Sequence, residues 1–353
     1  MEQDRLEKLG LITHDKLKKI ASGRRRYLVD ELLLAPSINI LAGDSGLGKS
    51  ALAAQLGMCI ATGKDFFGHK ITEPGTVIYC DAESTPDMML EMQEQLADFV
   101  GVDKPPEDFI FWNPNWNVDN KTIVVSHNKV QLYNIVKAMK PKLVILDSLR
   151  NFYPLAIKEQ EHAATMIKEM RKYGGETDTS FLMIHHLRKK NKEERASGQR
   201  ATVKNDVLLW LEEAAGSLAL INNTDTRLGW ERDVAFDEYY LGGFLRVYGA
   251  LGPYKISREL DEEGDPMGYR MCTPVEQLPQ QDQVTYEQIP AETEFTFKFL
   301  VDQLKKGKSA SSRFIRRAMR LKLIRLVKEV PREDGNKGRP TKVYMKIEKE
   351  QED

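Results

Sequence analysis

Cysteine is scarce in this chain of 353 residues: only Cys59, Cys80 and Cys272 occur, and no two are spaced as Cys-x-x-Cys. An odd count without a close pair argues against a disulfide framework or a zinc site, and it fits a reducing, cytoplasmic setting. No run approaches the ~20 consecutive apolar residues that span a bilayer, so no membrane partner is expected. The opening "MEQDRLEKLG" has no apolar centre and does not read as a secretory leader. Neither sign of charge is in excess, with 52 Lys and Arg against 53 Asp and Glu. The whole-chain balance therefore says nothing about partners, and only local clusters can. Internal repeats and low-complexity tracts are absent as well. What is present is an ordinary globular composition, 41% hydrophobic and 30% charged, with enough apolar material for about two or three domains.

Residues 1–35 are charged and helix-like and read as an N-terminal arm that packs on the next domain or on a neighbouring subunit. Over 36–273, short apolar runs alternate with longer amphipathic stretches. The strand candidates are "SINILA", "TVIYCDA", "LVILDS", "SFLMIHH" and "GSLALIN". Such alternation predicts an α/β fold with a mainly parallel sheet covered by helices. "FLRVYGALGPYKISREL" and "GYRMCTP" extend it as antiparallel strands. Residues 274–291 are rich in Pro, Gln and acid, lack periodicity and read as a linker. A compact basic segment, 292–349, follows.

The sharpest local signal is "GDSGLGKS", which matches G-x-x-x-x-G-K-[ST] between a predicted strand and a predicted helix. Glycine lets the backbone turn so that successive N–H groups face one anion, and the helix adds its positive end. The cradle comprises Gly43, Asp44, Ser45, Gly46, Leu47, Gly48, Lys49, Ser50 and Ala51. Lys49 is expected to reach the β- and γ-phosphates, and Ser50 to ligate Mg²⁺. An accidental glycine-rich turn is the competing reading, and the flanking strand and helix count against it.

"PKLVILDS" reads as a buried strand delivering Asp147 to its C-terminal tip, where open α/β sheets bind ligands; there Asp147 would support the Mg²⁺ shell. Ser148 follows, where many phosphate-loop ATPases carry a catalytic Glu. The carboxylate that orients the attacking water must come from elsewhere, and Glu83, at the tip of the second strand, is the candidate. Asp81 is nearby, but the pleat turns alternate side chains to opposite faces. His185 and His186 end the next strand candidate. His186 is read as a contact to the γ-phosphate, with a purely structural role as the alternative.

Taken together, "GDSGLGKS", a Glu at the second strand tip, "LVILDS" without a following Glu, and "FLMIHHLRKK" resemble the RecA-like P-loop ATPases. More narrowly they resemble the plasmid replicative hexameric helicases of the RepA type, relatives of the DnaB helicases. The resemblance covers roughly residues 30–256 and implies ATP and Mg²⁺ bound between subunits of a homo-oligomer, usually a hexamer. It also implies an arginine from the neighbouring subunit at the γ-phosphate. Arg227, just past the predicted fifth strand, occupies the matching place, and Arg232 is the runner-up. The closely spaced Lys-x-Arg pair of some ring helicases is missing. Family members grip single-stranded DNA through two central loops, corresponding here to "RNFYPLAIKEQEHAA" and "LRKKNKEERASGQRATVKND". The second holds seven basic residues, Arg188, Lys189, Lys190, Lys192, Arg195, Arg200 and Lys204, against three acidic ones. Sequence-independent grip on a phosphate backbone needs that kind of excess.

In the basic segment, "FTFKFLVDQL" has helical apolar spacing. "SASSRFIRRAMRLKLI" reads as a Ser-capped basic amphipathic helix, and "IRLVKEV" and "KVYMKI" as strands joined by a polar turn. Helix, helix, strand, wing, strand resembles a winged-helix domain. Arg313, Arg316, Arg317 and Arg320, three or four apart, with Lys337 and Arg339 in the wing, would form a face for duplex DNA. A protein partner is the alternative. These features predict an ATP-hydrolysing DNA motor of the helicase kind. The alternatives are a recombinase or mediator ATPase that forms filaments, and an ATP-switched regulator that binds duplex DNA.

Overall fold

The structure, a computed structural model, describes residues 9–21, 25–114, 125–187, 201–214, 218–233, 238–246, 249–291, 293–330 and 340–347; for 20, 125–129, 213–214 and 218 it describes the backbone only. The chain divides into two compact units, residues 1–270 and 271–353.

The first unit opens with helix α1 (His14–Ile20), whose N-cap is Thr13. Strands β1 (Tyr27–Val29) and β2 (Leu33–Leu34) follow as an antiparallel pair. Leu28, Val29, Leu32 and Leu33 are buried. Asp30 N–H donates to the Lys70 carbonyl and Thr72 N–H to that of Leu28. Of the stretch read as a helical arm over 1–35, the described residues are helical at His14–Ile20, and from 27 onward they pack into the first unit. Burying each of these aliphatic side chains contributes about 1.5–3 kcal/mol, which holds this stretch against the unit that follows it.

The main sheet begins with β3 (Ile38–Gly43), buried along its whole length, which leads into α2 (Lys49–Thr62). Next come β4 (Val77–Asp81), α3 (Pro86–Phe99), β5 (Phe109–Trp112), α4 (Val125–Met139) and β6 (Leu143–Asp147). After these lie α5 (Leu149–Phe152), α6 (Gln160–Thr177) and β7 (Ser180–His186). α7 (Val207–Ala214), α8 (Leu218–Asn222), β8 (Thr226–Asp233), β9 (Glu238–Leu245), β10 (Gly249–Leu260) and β11 (Pro266–Met271) complete the unit. The nine strands are ordered β11-β10-β9-β8-β3-β7-β6-β4-β5. β8, β3, β7, β6, β4 and β5 run parallel, and β9 and β10 are antiparallel, as the alternation predicts. β7 lies between β3 and β6, so the strand ending in His186 separates the phosphate-loop strand from the Asp147 strand.

One strand assignment fails. Leu218–Asn222 of "GSLALIN" are helix α8, and the next run, "TRLGWERD", is the sixth parallel strand in chain order, β8. A short apolar run has no periodicity that separates a buried strand from a buried helix. Leu220 and Ile221 are buried, a requirement that one helical turn meets equally well.

The second unit contains α9 (Gln280–Glu287), β12 (Glu294–Thr296), α10 (Phe297–Asp302), α11 (Lys308–Arg320), β13 (Ile324–Val330) and β14 (Thr341–Lys346). Its three strands are ordered β12-β14-β13. The stretch read as a linker is structured: Leu278, Tyr286 and Ile289 share a core with Phe295, Leu300, Phe314 and Ile315. Asp282, also from that stretch, accepts ion pairs from Lys306 at 3.0 Å and Arg317 at 2.9 Å. α11 buries Ser311, Phe314, Ile315 and Ala318, spaced three and four apart. Its N-cap is Gly307 rather than a serine, and the Ser311 hydroxyl instead donates to the Lys306 carbonyl.

Candidate functional site

The sheet register decides which side chains can meet. Asp81 pairs with Asp147, and Tyr79 with Ile145, across β4 and β6. His186 pairs with Gly43 across β7 and β3. Counting by twos along each strand puts Tyr79, Asp81, Asp147 and His186 on one face of the sheet. The Asp147 carboxylate reaches Ser50 in α2, so this face is the one that α2 covers.

The loop between β3 and α2 has Gly46 at φ +76° and Gly48 at φ +79°, a left-handed backbone suited to glycine. Gly48 is the N-cap of α2, no side chain caps that end, and no acid occupies its first turn. The positive end of a 14-residue helix thus opens into the loop. Lys49 is buried and donates from Nζ to the Asp44 carbonyl at 2.6 Å. Burial brings its ammonium down to about 8, partly offset by Asp147 and Asp44.

Ser50 and Asp147, the two expected Mg²⁺ ligands, are joined by a hydrogen bond. The Asp147 carboxyl is pushed above the usual range by burial and drawn back by Ser50 and Tyr79. Tyr79 had no part in the sequence reading. Its hydroxyl donates to Asp147 Oδ2 at 2.6 Å and lies 3.2 Å from the Ser50 carbonyl. In the sequence it is one more apolar strand residue, and its partner is 68 positions away.

Glu83 lies beyond the end of β4. Asp81 Oδ1 accepts from the N–H groups of Glu83 and Ser84, and Oδ2 accepts from the Ser84 hydroxyl. Asp81 is thereby spent on shaping the turn, and Glu83 is the carboxylate left exposed at the tip. Asn151, in α5 directly after the Asp147 strand, donates from Nδ2 to Glu83 Oε1 at 2.7 Å. His186 is exposed at its own tip; burial lowers its pKa first, then Lys49, while Glu83 opposes the shift. His185 faces away from α2 and is buried, with Nε2 unpartnered; burial takes it down to about 4.

Arg227 lies elsewhere. It is the second residue of β8 rather than a residue past its end, and it pairs with Ile40 of β3 while Gly43 pairs with Trp230. It therefore sits toward the end of the sheet opposite the phosphate loop, with its guanidinium 5.8 Å from the Phe244 ring and Nη2 donating to the Asn222 carbonyl. The displacement follows from the misread fifth strand. Arg232, two residues beyond Trp230, lies at the phosphate-loop end of β8 with its guanidinium over Tyr239 at 5.6 Å.

Of the first presumed DNA loop, Phe152, Tyr153 and Ala156 are buried, whereas Pro154, Leu155 and Lys158 are exposed. Of the second, Lys204 stands 4.7 Å over the Tyr240 ring. Arg188, Lys189, Lys190, Lys192, Arg195 and Arg200 lie outside the described residues, as do Lys337 and Arg339 of the wing. On α11, Arg313, Arg316 and Arg320 are exposed, but Arg317 is held by Asp282. Among the described residues no helix is long and apolar enough to cross a membrane.

The donor set fits a nucleoside triphosphate with a divalent cation. It combines an uncapped helix end, a buried lysine bonded only to a loop carbonyl, and a hydroxyl beside a carboxylate. A KaiC-like protein from the hyperthermophilic archaeon Pyrococcus horikoshii OT3 is similar in structure, with TM-score 0.40 and 15% identity over 70% of this chain and 99% of that one. No curated protein matches the sequence. The AAA domain family matches residues 2–192, more than half of the chain. With that match over a fold in which β7 separates the phosphate-loop and Asp147 strands, the chain belongs to the AAA domain family.

Proposed function

We propose that this chain is an ATP-driven DNA motor of the replicative-helicase kind, hydrolysing ATP at subunit interfaces of a ring and translocating on single-stranded DNA. The observation that carries the hydrolytic part is the Glu83–Asn151 pair: an exposed carboxylate held just beyond the tip of β4, close enough to Asp147 and His186 to act on both electrostatically.

Ser50 and Asp147 would hold Mg²⁺, which supplies charge neutralisation between the phosphates. Lys49 leaves the Asp44 carbonyl for the phosphate oxygens and regains full charge there. Glu83 orients the attacking water and takes its proton, and Asn151 fixes the carboxylate for that role. His186 contacts the γ-phosphate and passes its loss to the basic stretch of sequence that follows β7. The neighbour's arginine stabilises charge developing on the transferred group. Arg232, at the phosphate-loop end of β8, is a better candidate for it than Arg227, whose Nε is buried without a partner.

Helices α10 and α11 and the three strands of the second unit are read as a winged helix. Its exposed Arg313, Arg316 and Arg320 favour a polyanionic partner, duplex DNA. A forked duplex with ATP tests the proposal, and displacement of one strand is expected. DNA-stimulated hydrolysis without displacement would instead indicate a filament-forming recombinase or mediator. Tight duplex binding with hydrolysis indifferent to single strands would indicate a regulator.

A further inference from the structure

The phosphate loop is propped from the side by aromatic residues that the proposed mechanism does not use. The Trp230 indole N–H donates to the Leu47 carbonyl at 2.8 Å. The Tyr269 hydroxyl lies 1.9 Å from where a Cβ on Gly48 would stand, so that glycine is needed for close approach as well as for its φ. The Tyr269 backbone is in turn clasped by α2: Gln55 Nε2 donates to its carbonyl, and its N–H donates to Gln55 Oε1, both at 2.8 Å. Trp230, Tyr239 and Tyr269 pack on one another at 5.0–5.7 Å between ring centroids, and all three are buried.

The Leu47 carbonyl and the Gly48 N–H belong to one planar peptide and point in opposite directions. A donor that holds the carbonyl outward therefore aims the N–H into the cradle. We infer that Trp230 is a positioning residue for the phosphate loop, presetting the Gly48 N–H toward the nucleotide phosphates, with Tyr269 as the second contact of the same strut. The loop then binds phosphate without first having to be ordered, so the strut acts mainly on nucleotide affinity. The inference rests on the P-loop ATPase reading of the same site.

The test measures binding of a fluorescent ADP analogue to the full chain by anisotropy, for wild type, Trp230→Phe, Tyr269→Phe and Lys49→Ala. Trp230→Phe keeps an aromatic ring and removes the donor. It is expected to weaken ADP binding about three- to tenfold, the worth of one net hydrogen bond. Tyr269→Phe shifts affinity in the same direction and decides the matter if Trp230→Phe does not fold. In turnover, KM for ATP rises by a larger factor than kcat falls. Binding within twofold of wild type in both variants, or a fall in kcat at constant KM, overturns the inference while Lys49→Ala still reports a working cradle. A wild-type chain that does not bind ADP overturns the nucleotide reading itself, and this inference with it.

Discussion

Lys49 and Asp147 hold opposite charges in a buried setting that disfavours both, and this sets how the ligand-free site answers to pH and to metal. Burial lowers Lys49 to about 8, below the ordinary lysine range. Above that value the folded chain binds fewer protons than the unfolded one, so the stability cost of the buried ammonium is full below pH 8 and is relieved as pH rises toward ~10.5. Nucleotide phosphates favour the charged form, so binding should take up a fractional proton as pH passes 8, with affinity falling. Calorimetry in two buffers of different ionisation enthalpy measures this, and zero uptake at pH 9 would contradict it. Asp147 is held up by burial and drawn down by Ser50 and Tyr79. Tyr79→Phe removes one of these donors, and half-maximal Mg²⁺ for nucleotide binding is expected to rise several-fold in a Mg²⁺ titration.

At the scale of elements, Asp282 joins α9 to Lys306 and Arg317 and is itself buried. Asp282→Ala leaves two cations without their carboxylate. It should lower the stability of the second unit by about 1–3 kcal/mol, read as a downward shift of one transition in differential scanning calorimetry. The same helix shows where sequence reading loses its footing. Pro, Gln and acid dominate 274–291, and the three apolar anchors Leu278, Tyr286 and Ile289 follow no period long enough to announce a helix. β3, β4, β6 and β7 were legible because each is a buried apolar run that stops at a chemically distinct residue: Gly43, Asp81, Asp147 or His186. The run before Arg227 lacked such a stop, and the helix that replaced the expected strand moved Arg227 to the other end of the sheet. Tyr79 and Trp230 were not legible at all, because their meaning lies in partners 68 and 183 positions away. Asp81 was legible as a strand-tip acid, but its use as a turn cap depended on where β4 stops.

For the whole molecule, the proposed motor predicts a division of labour. Arg313, Arg316 and Arg320 are exposed on α11, so replacing all three with Glu should abolish duplex binding by the full chain. Single replacements with Ala should each reduce the dependence of affinity on log salt by roughly one unit. Electrophoretic mobility shifts over a salt series read both effects. In the proposed motor, hydrolysis would depend on a different group, Glu83, which Asn151 holds beyond the tip of β4. The most direct measurement is therefore ATP turnover, with and without single-stranded DNA, by wild type and Glu83→Gln, alongside nucleotide binding by each. DNA-stimulated turnover is expected in the wild type, with a variant that binds ATP normally but turns it over at least ~100-fold more slowly. Near-normal turnover by Glu83→Gln would contradict this expectation.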